Sequence, residues 1–129
     1  MKKILSRAWL PWLLLSFFCT HDAEADYKQA VAFYNQGQYD KAIQELKSDL
    51  DRNPDWEFGH RLLGLSYLGL KNNALAVSAL SRAVQLKSTT FATYYGLGQA
   101  YFNMQKYDNC VAALNQGMAF VGKEKDPEK

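Results

Sequence analysis

Residues 63–80 read LGLSYLGLKNNALAVSAL and residues 97–114 read LGQAYFNMQKYDNCVAAL, the same pattern 34 positions later. Stepping back by the same interval reaches a third copy. Ala30, Gly64 and Gly98 form one column, and Phe33, Tyr67 and Tyr101 a second. Ala42, Ala76 and Cys110 form a third, and Leu46, Leu80 and Leu114 a fourth. Self-similarity at one fixed period marks a stacked-repeat architecture, in which no unit buries its apolar face alone. The units occupy about 23–56, 57–90 and 91–124.

Each unit divides into two helical halves. In the second, Phe58, Leu62, Leu65 and Leu68 recur at three- and four-residue spacing, and so do Ala76, Val77, Leu80, Ala83 and Val84. That is the pattern of helices with one buried face. Gly37 and Asn72-Asn73 break the first and second pairs. Asn53-Pro54-Asp55 separates two units: the residue before proline leaves helical geometry, and Asp55 is placed to cap the next helix. Ser88-Thr89-Thr90 offers hydroxyl caps at the following boundary. Small side chains let paired helices approach closely, so Ala30, Gly64 and Gly98 are expected to face Ala42, Ala76 and Cys110. Nothing reads as strand.

The first 25 residues differ from the rest. Lys2, Lys3 and Arg7 precede the apolar run Ala8–Phe18, and Ala23-Glu24-Ala25 supplies small residues in an A-x-A arrangement. A basic start, a short apolar core and a small-residue cut site predict a secretory signal peptide cleaved between Ala25 and Asp26. The run, broken by Pro11, falls short of the roughly 20 residues that span a bilayer. Two membrane-anchored alternatives stay open. One is acylation at Cys19, although Phe18 stands where a small residue is wanted; the other is an uncleaved anchor. The domain order is therefore a leader over 1–25, a repeat domain over 26–122 and a charged tail over 123–129.

Composition limits the function. The chain has 129 residues, 48% hydrophobic and 22% charged, which suits one modest domain with a core. Formal net charge is only +2, too little to drive nucleic-acid binding by bulk electrostatics. After cleavage one cysteine remains, Cys110, so no internal disulfide forms and packing must supply stability. Cys110 sits in an alanine column and reads as a buried, inert thiol. His60 has no second ligand near it in sequence. No nucleophile elbow or phosphate loop is present, so neither catalysis, a metal, a cofactor nor a small-molecule substrate is expected.

These columns resemble the tetratricopeptide repeat family, with its 34-residue period and helix–turn–helix unit. The third unit matches through Tyr94, Leu97, Gly98, Tyr101, Tyr107 and Leu114, and the second through Leu63, Gly64, Tyr67, Ala76, Leu80 and Ala83. The first offers Ala30, Phe33, Gly37, Tyr39, Ala42, Leu46 and Pro54. Gln29, His60 and Asp49 depart from the pattern, and Ser88 and Gly122 stand where proline is usual. The resemblance implies an all-α, right-handed α-solenoid of three repeats and six antiparallel helices. It further implies a protein-binding adaptor, scaffold or assembly factor, in a bacterial periplasm given the leader.

In such proteins the first helix of each repeat lines a concave face where peptides dock. Carried over, that face comprises Tyr27, Val31 and Tyr34, then Phe58, Arg61, Leu65 and Leu68, then Tyr95, Gln99, Phe102 and Asn103. Packing against neighbouring helices is the competing role for Tyr34, Leu68 and Phe102. Tyr27, Val31, Tyr95 and Gln99 stand where family members that clamp chaperone tails need Lys or Asn, which argues against that ligand. An apolar segment, with Arg61 pairing one acidic group, suits the face better. Five basic and no acidic residues lie between Phe58 and Tyr107, whereas Asp26, Asp40, Asp49, Asp51 and Asp55 crowd the first repeat. The last helix carries Leu114, Met118 and Phe120 with only a short charged tail to follow, so self-association or partner docking through that end is expected, the alternative being that Met118 and Phe120 fold back onto the preceding helix pair.

Overall fold

The computed structural model describes residues 23–123. Six helices follow one another: α1 (Ala23–Asn35), α2 (Tyr39–Arg52), α3 (Glu57–Gly69), α4 (Asn73–Gln85), α5 (Phe91–Asn103) and α6 (Tyr107–Met118). No strand occurs among the described residues. The first helices begin at 23, 57 and 91 and the second at 39, 73 and 107, so both sets keep the 34-residue step. Most of the expected leader lies outside the described residues, as does the tail from 124. The expected Ala25–Asp26 junction falls within the first turn of α1.

The helices within a repeat are joined by three-residue turns, 36–38, 70–72 and 104–106. In each, the middle residue adopts positive φ: 72° at Gly37, 60° at Lys71 and 61° at Gln105. The amides of Gln38, Asn72 and Lys106 reach back to the carbonyls of Phe33, Tyr67 and Tyr101. That reach satisfies carbonyls left open at the helix end. Lys87 and Ser88 end α4 the same way, with φ 65° and a bond from the Ser88 amide to the Ala83 carbonyl.

Two expected caps are replaced by other contacts. The N-cap of α3 is Trp56, and Asp55 instead accepts from Arg82 of α4 at 2.8 Å, tying two repeats together. Thr90 heads α5 without a side-chain bond, while Ser88 is buried against the Thr93 hydroxyl at 2.7 Å. Asn72 does cap α4, accepting from the Leu75 amide at 3.3 Å.

The core runs along the stack. Ala30, Ala42, Leu46, Ala76, Leu80, Ala83 and Ala100 are fully buried. The small column seats the leucine column: a methyl group placed on Gly64 would stand 2.5 Å from Leu80 Cγ, and one on Gly98 3.0 Å from Leu114 Cδ2. Gly98 also faces Cys110 as expected, the added methyl standing 3.6 Å from its carbonyl oxygen. Cys110 is a free thiol, half-buried where full burial was expected.

Each helix packs on the next, and α1 also touches α3 as α3 touches α5. Among the described residues, α2 does not touch α4, nor α4 touch α6.

Candidate partner-binding face

One row on α1, α3 and α5 carries the side chains expected to bind, half-buried in the first two repeats and exposed in the third. Three register columns cross it: Tyr27–Arg61–Tyr95, Val31–Leu65–Gln99 and Tyr34–Leu68–Phe102. The structure gathers some of them and separates others.

Tyr27, Phe58 and Arg61 come together. The Tyr27 ring meets Phe58 edge-on at 5.1 Å, and the Arg61 guanidinium lies 4.8 Å from the Phe58 centroid. Such contacts fix flat apolar faces with defined geometry. Trp56 completes the cluster, 6.0 Å from Tyr27 and 5.6 Å from Phe58. Gly59 makes room for the indole, since a methyl there would stand 2.2 Å from Trp56 Cε3. Sequence reasoning overlooked Trp56; its place directly before α3, opposite an aromatic on α1, was the available signal.

Arg61 is not the open cation that the sequence suggested. Its Nε lies 3.6 Å from Glu57 Oε1 one turn earlier, and the two side chains are only 19% and 28% exposed. Glu57 therefore already balances it, and Nε and Oε1 are buried with no hydrogen bond made. The position of Glu57, four residues before Arg61, was the signal for this pairing.

Leu65 and Leu68 serve packing more than recognition. A methyl on Gly96 of α5 would meet Leu65 Cδ2 at 2.9 Å and Leu68 Cδ1 at 3.4 Å, so both leucines fill the joint between repeats. Val31 and Tyr34 pack on the first core cluster. Tyr34 also meets Tyr39 edge-on at 5.6 Å, and burial first, then Tyr39, raises its phenol pKa. The third repeat stays open: Tyr95 is 55% exposed, Gln99 and Asn103 are exposed, and Phe102 leans on Tyr107 at 5.6 Å. Asn103 donates to Asn73 at 3.0 Å.

Of the three residues expected to drive self-association, only Met118 is exposed. Phe120 stacks on Tyr94 at 5.3 Å and Leu114 lies against Gly98. A separate cleft of about 700 Å³ opens beside α3 and α4, lined by Pro54, His60, Leu63, Tyr67, Ala79 and Arg82 among others. His60 is occupied there, donating through Nε2 to the Pro54 carbonyl at 2.7 Å. No group of metal-ligating side chains occurs among the described residues, and none of their helices is long and apolar enough to cross a membrane.

Comparison with known proteins places this arrangement. Two models of the Tetratricopeptide repeat match, one over residues 13–55 and 27–92 and the other over 91–119. The chain belongs to the tetratricopeptide repeat family. A peroxisomal targeting signal receptor of Candida albicans is 31% identical over 98 residues, covering 76% of this chain; the chain spans 17% of that receptor's length. Among solved structures, the second tetratricopeptide domain of Spaghetti (RPAP3), bound to the HSP90 peptide SRMEEVD, superposes with a TM-score of 0.73. It is 14% identical over 78% of this chain and 93% of that one. The Yersinia enterocolitica type III secretion translocator chaperone SycD, in an alternative dimer, gives 0.75 at 13% identity, over 86% of this chain and 83% of its own. At such identities the likeness is one of fold.

Proposed function

We propose that this protein is an exported protein–protein interaction module, an adaptor, scaffold or assembly factor, that holds a partner segment along α1, α3 and α5. The carrying observation is the one-sided contact pattern. First helices touch across repeats and second helices do not, so the stack is drawn together on the first-helix side. A stack closed on one side curves toward it, giving the concave surface that repeat proteins use. The relatives fit this reading: one tetratricopeptide domain of the same fold holds a peptide and another is a secretion chaperone.

The partner segment is apolar. The face offers Tyr27 and Phe58 near one end and Tyr95 with Gln99 at the other, while Glu57 balances the central cation. An acidic tail has little to gain there. Catalysis is no part of the reading, and the basic start and A-x-A site of residues 1–25 direct the protein to the bacterial envelope.

A photo-crosslinker tests both halves. Placed at Tyr95 or Gln99 in the native envelope, it captures a defined partner, whereas at exposed Gln44 on α2 it does not; mass measurement of the captured chain finds Asp26 at its N-terminus. Equal capture from Gln44 defeats the face, and an intact or acylated N-terminus defeats cleavage. Tyr95→Ala lowers capture without unfolding the protein, a cleaner variant than any at the half-buried, paired Arg61.

A further inference from the structure

The third repeat ends the described stack, and its register shows what that end lacks. Leu68, Val77 and Val84 of the second repeat pack against the cluster of Leu80, Leu97 and Ala113, beneath the third repeat. One period later stand Phe102, Val111 and Met118. These are 59%, 57% and 63% exposed. Asn73, bonded to Asn103 across the covered joint, is succeeded by Tyr107, which is 56% exposed. The same surface that the second repeat buries is therefore apolar and uncovered on the third.

We infer that a second copy of this chain covers it, face to face about a twofold axis. Three observations select that occupant. The surface continues an interface the molecule already makes, so its shape suits helical packing. It also bears almost no charge: between Phe91 and Gly122 the only charged residues are Lys106 and Asp108, in and beside one turn. A twofold interface brings the same patch of both copies together, so a surface with almost no charge pairs with itself at little electrostatic cost. Finally, the opposite end of the stack is polar. Lys28, Ala32 and Asn35 of α1 occupy the register of Gly96, Ala100 and Asn103, and all three are exposed. Head-to-tail stacking would place the Lys28 ammonium at the site that Gly96 fills, burying a cation against apolar side chains. That end refuses the contact, so pairing closes at two copies instead of running into a filament.

Sedimentation velocity of the full chain across a concentration series tests the inference. A monomer–dimer equilibrium is expected. The double variants Val111→Lys/Met118→Lys and Val111→Glu/Met118→Glu should each raise the dimer dissociation constant by about 30-fold or more, the size expected on losing a central anchor. Both positions are more than half exposed, so helix content by circular dichroism should not change. Mixing the two variants should restore a one-to-one dimer, since a basic surface then meets an acidic one. A wild type that stays monomeric at the highest concentration, a dimer that survives in either variant, or a mixture that stays monomeric would each overturn the inference. The second result would move the contact to the leader, the third to a foreign helix. Val111 and Met118 lie on α6, so these variants leave the side chains of the face formed by α1, α3 and α5 in place.

Discussion

The second and third repeats share a register but not a neighbour, and leucine shows what that costs. Leu80 is fully buried between two helices. A methyl on Gly64 would stand 2.5 Å from its Cγ and one on Gly96 3.2 Å from its Cδ1, so both glycines hold it. Leu114 occupies the same place one period on, rests on Gly98, and is only half-buried. Residue and helix position are alike; a following repeat is what differs. Burial in a stack is a property of having units on both sides.

Truncating the two leucines separates them most widely. Leu80→Ala should cost about 3–5 kcal/mol, because a fully buried leucine leaves a cavity that its neighbours cannot close. Leu114→Ala should cost about 1–2 kcal/mol, since part of its surface already meets water. Urea denaturation at low protein concentration reads the gap. A Leu114 loss that grows toward the Leu80 value as concentration rises would show the end face being covered by a second copy.

The glycines give a smaller contrast. A methyl at Gly64 presses on Leu80 Cγ at 2.5 Å and on its backbone nitrogen at 3.1 Å, whereas at Gly98 it meets side-chain atoms of Leu114 at 3.0 and 3.1 Å and backbone only at 3.6 Å. Overpacking costs about 1–3 kcal/mol, and alanine returns about 1 kcal/mol in a helix interior. Gly64→Ala should therefore lose about 2 kcal/mol, while Gly98→Ala stays within about 1 kcal/mol of wild type. Equal losses in thermal or urea unfolding would mean that the Leu114 side is held as tightly as the Leu80 side.

What was legible in the sequence follows from the reach of each rule. Period and helix boundaries were readable because every repeat restates them, and the helix starts 23, 57 and 91 coincide with the expected units. Asp55 was misread as a cap because capping is judged within one turn, and its actual partner, Arg82, lies 27 residues away. The fate of Phe120 turned on Gly117. A methyl there would stand 2.6 Å from Tyr94 Cβ, and its absence belongs to the close approach that lets the chain end fold back over Tyr94. For the candidate face, register told which side of each first helix faces outward. It did not tell that α5 lies over Leu65 and Leu68, since that overlap is set by tertiary packing and not by position along the helix.

The turns within the repeats offer the finest test of likeness, because their backbones match while their residues do not. Gly37, Lys71 and Gln105 all hold positive φ, and only Gly37 does so without a Cβ. Added bulk meets nothing within 4 Å at Gly37, so Gly37→Ala tests backbone strain alone. It should cost about 1 kcal/mol, the left-handed penalty for an L-residue. Lys71→Gly works in the opposite direction: it removes a strained Cβ but frees the unfolded chain, for a net gain below about 1 kcal/mol. Small shifts of opposite sign in urea midpoints are thus expected from substitutions at one register position. Should Lys71→Gly lose stability instead, the lysine side chain must hold its turn by contacts that outweigh the backbone, and the three turns would be alike in shape alone.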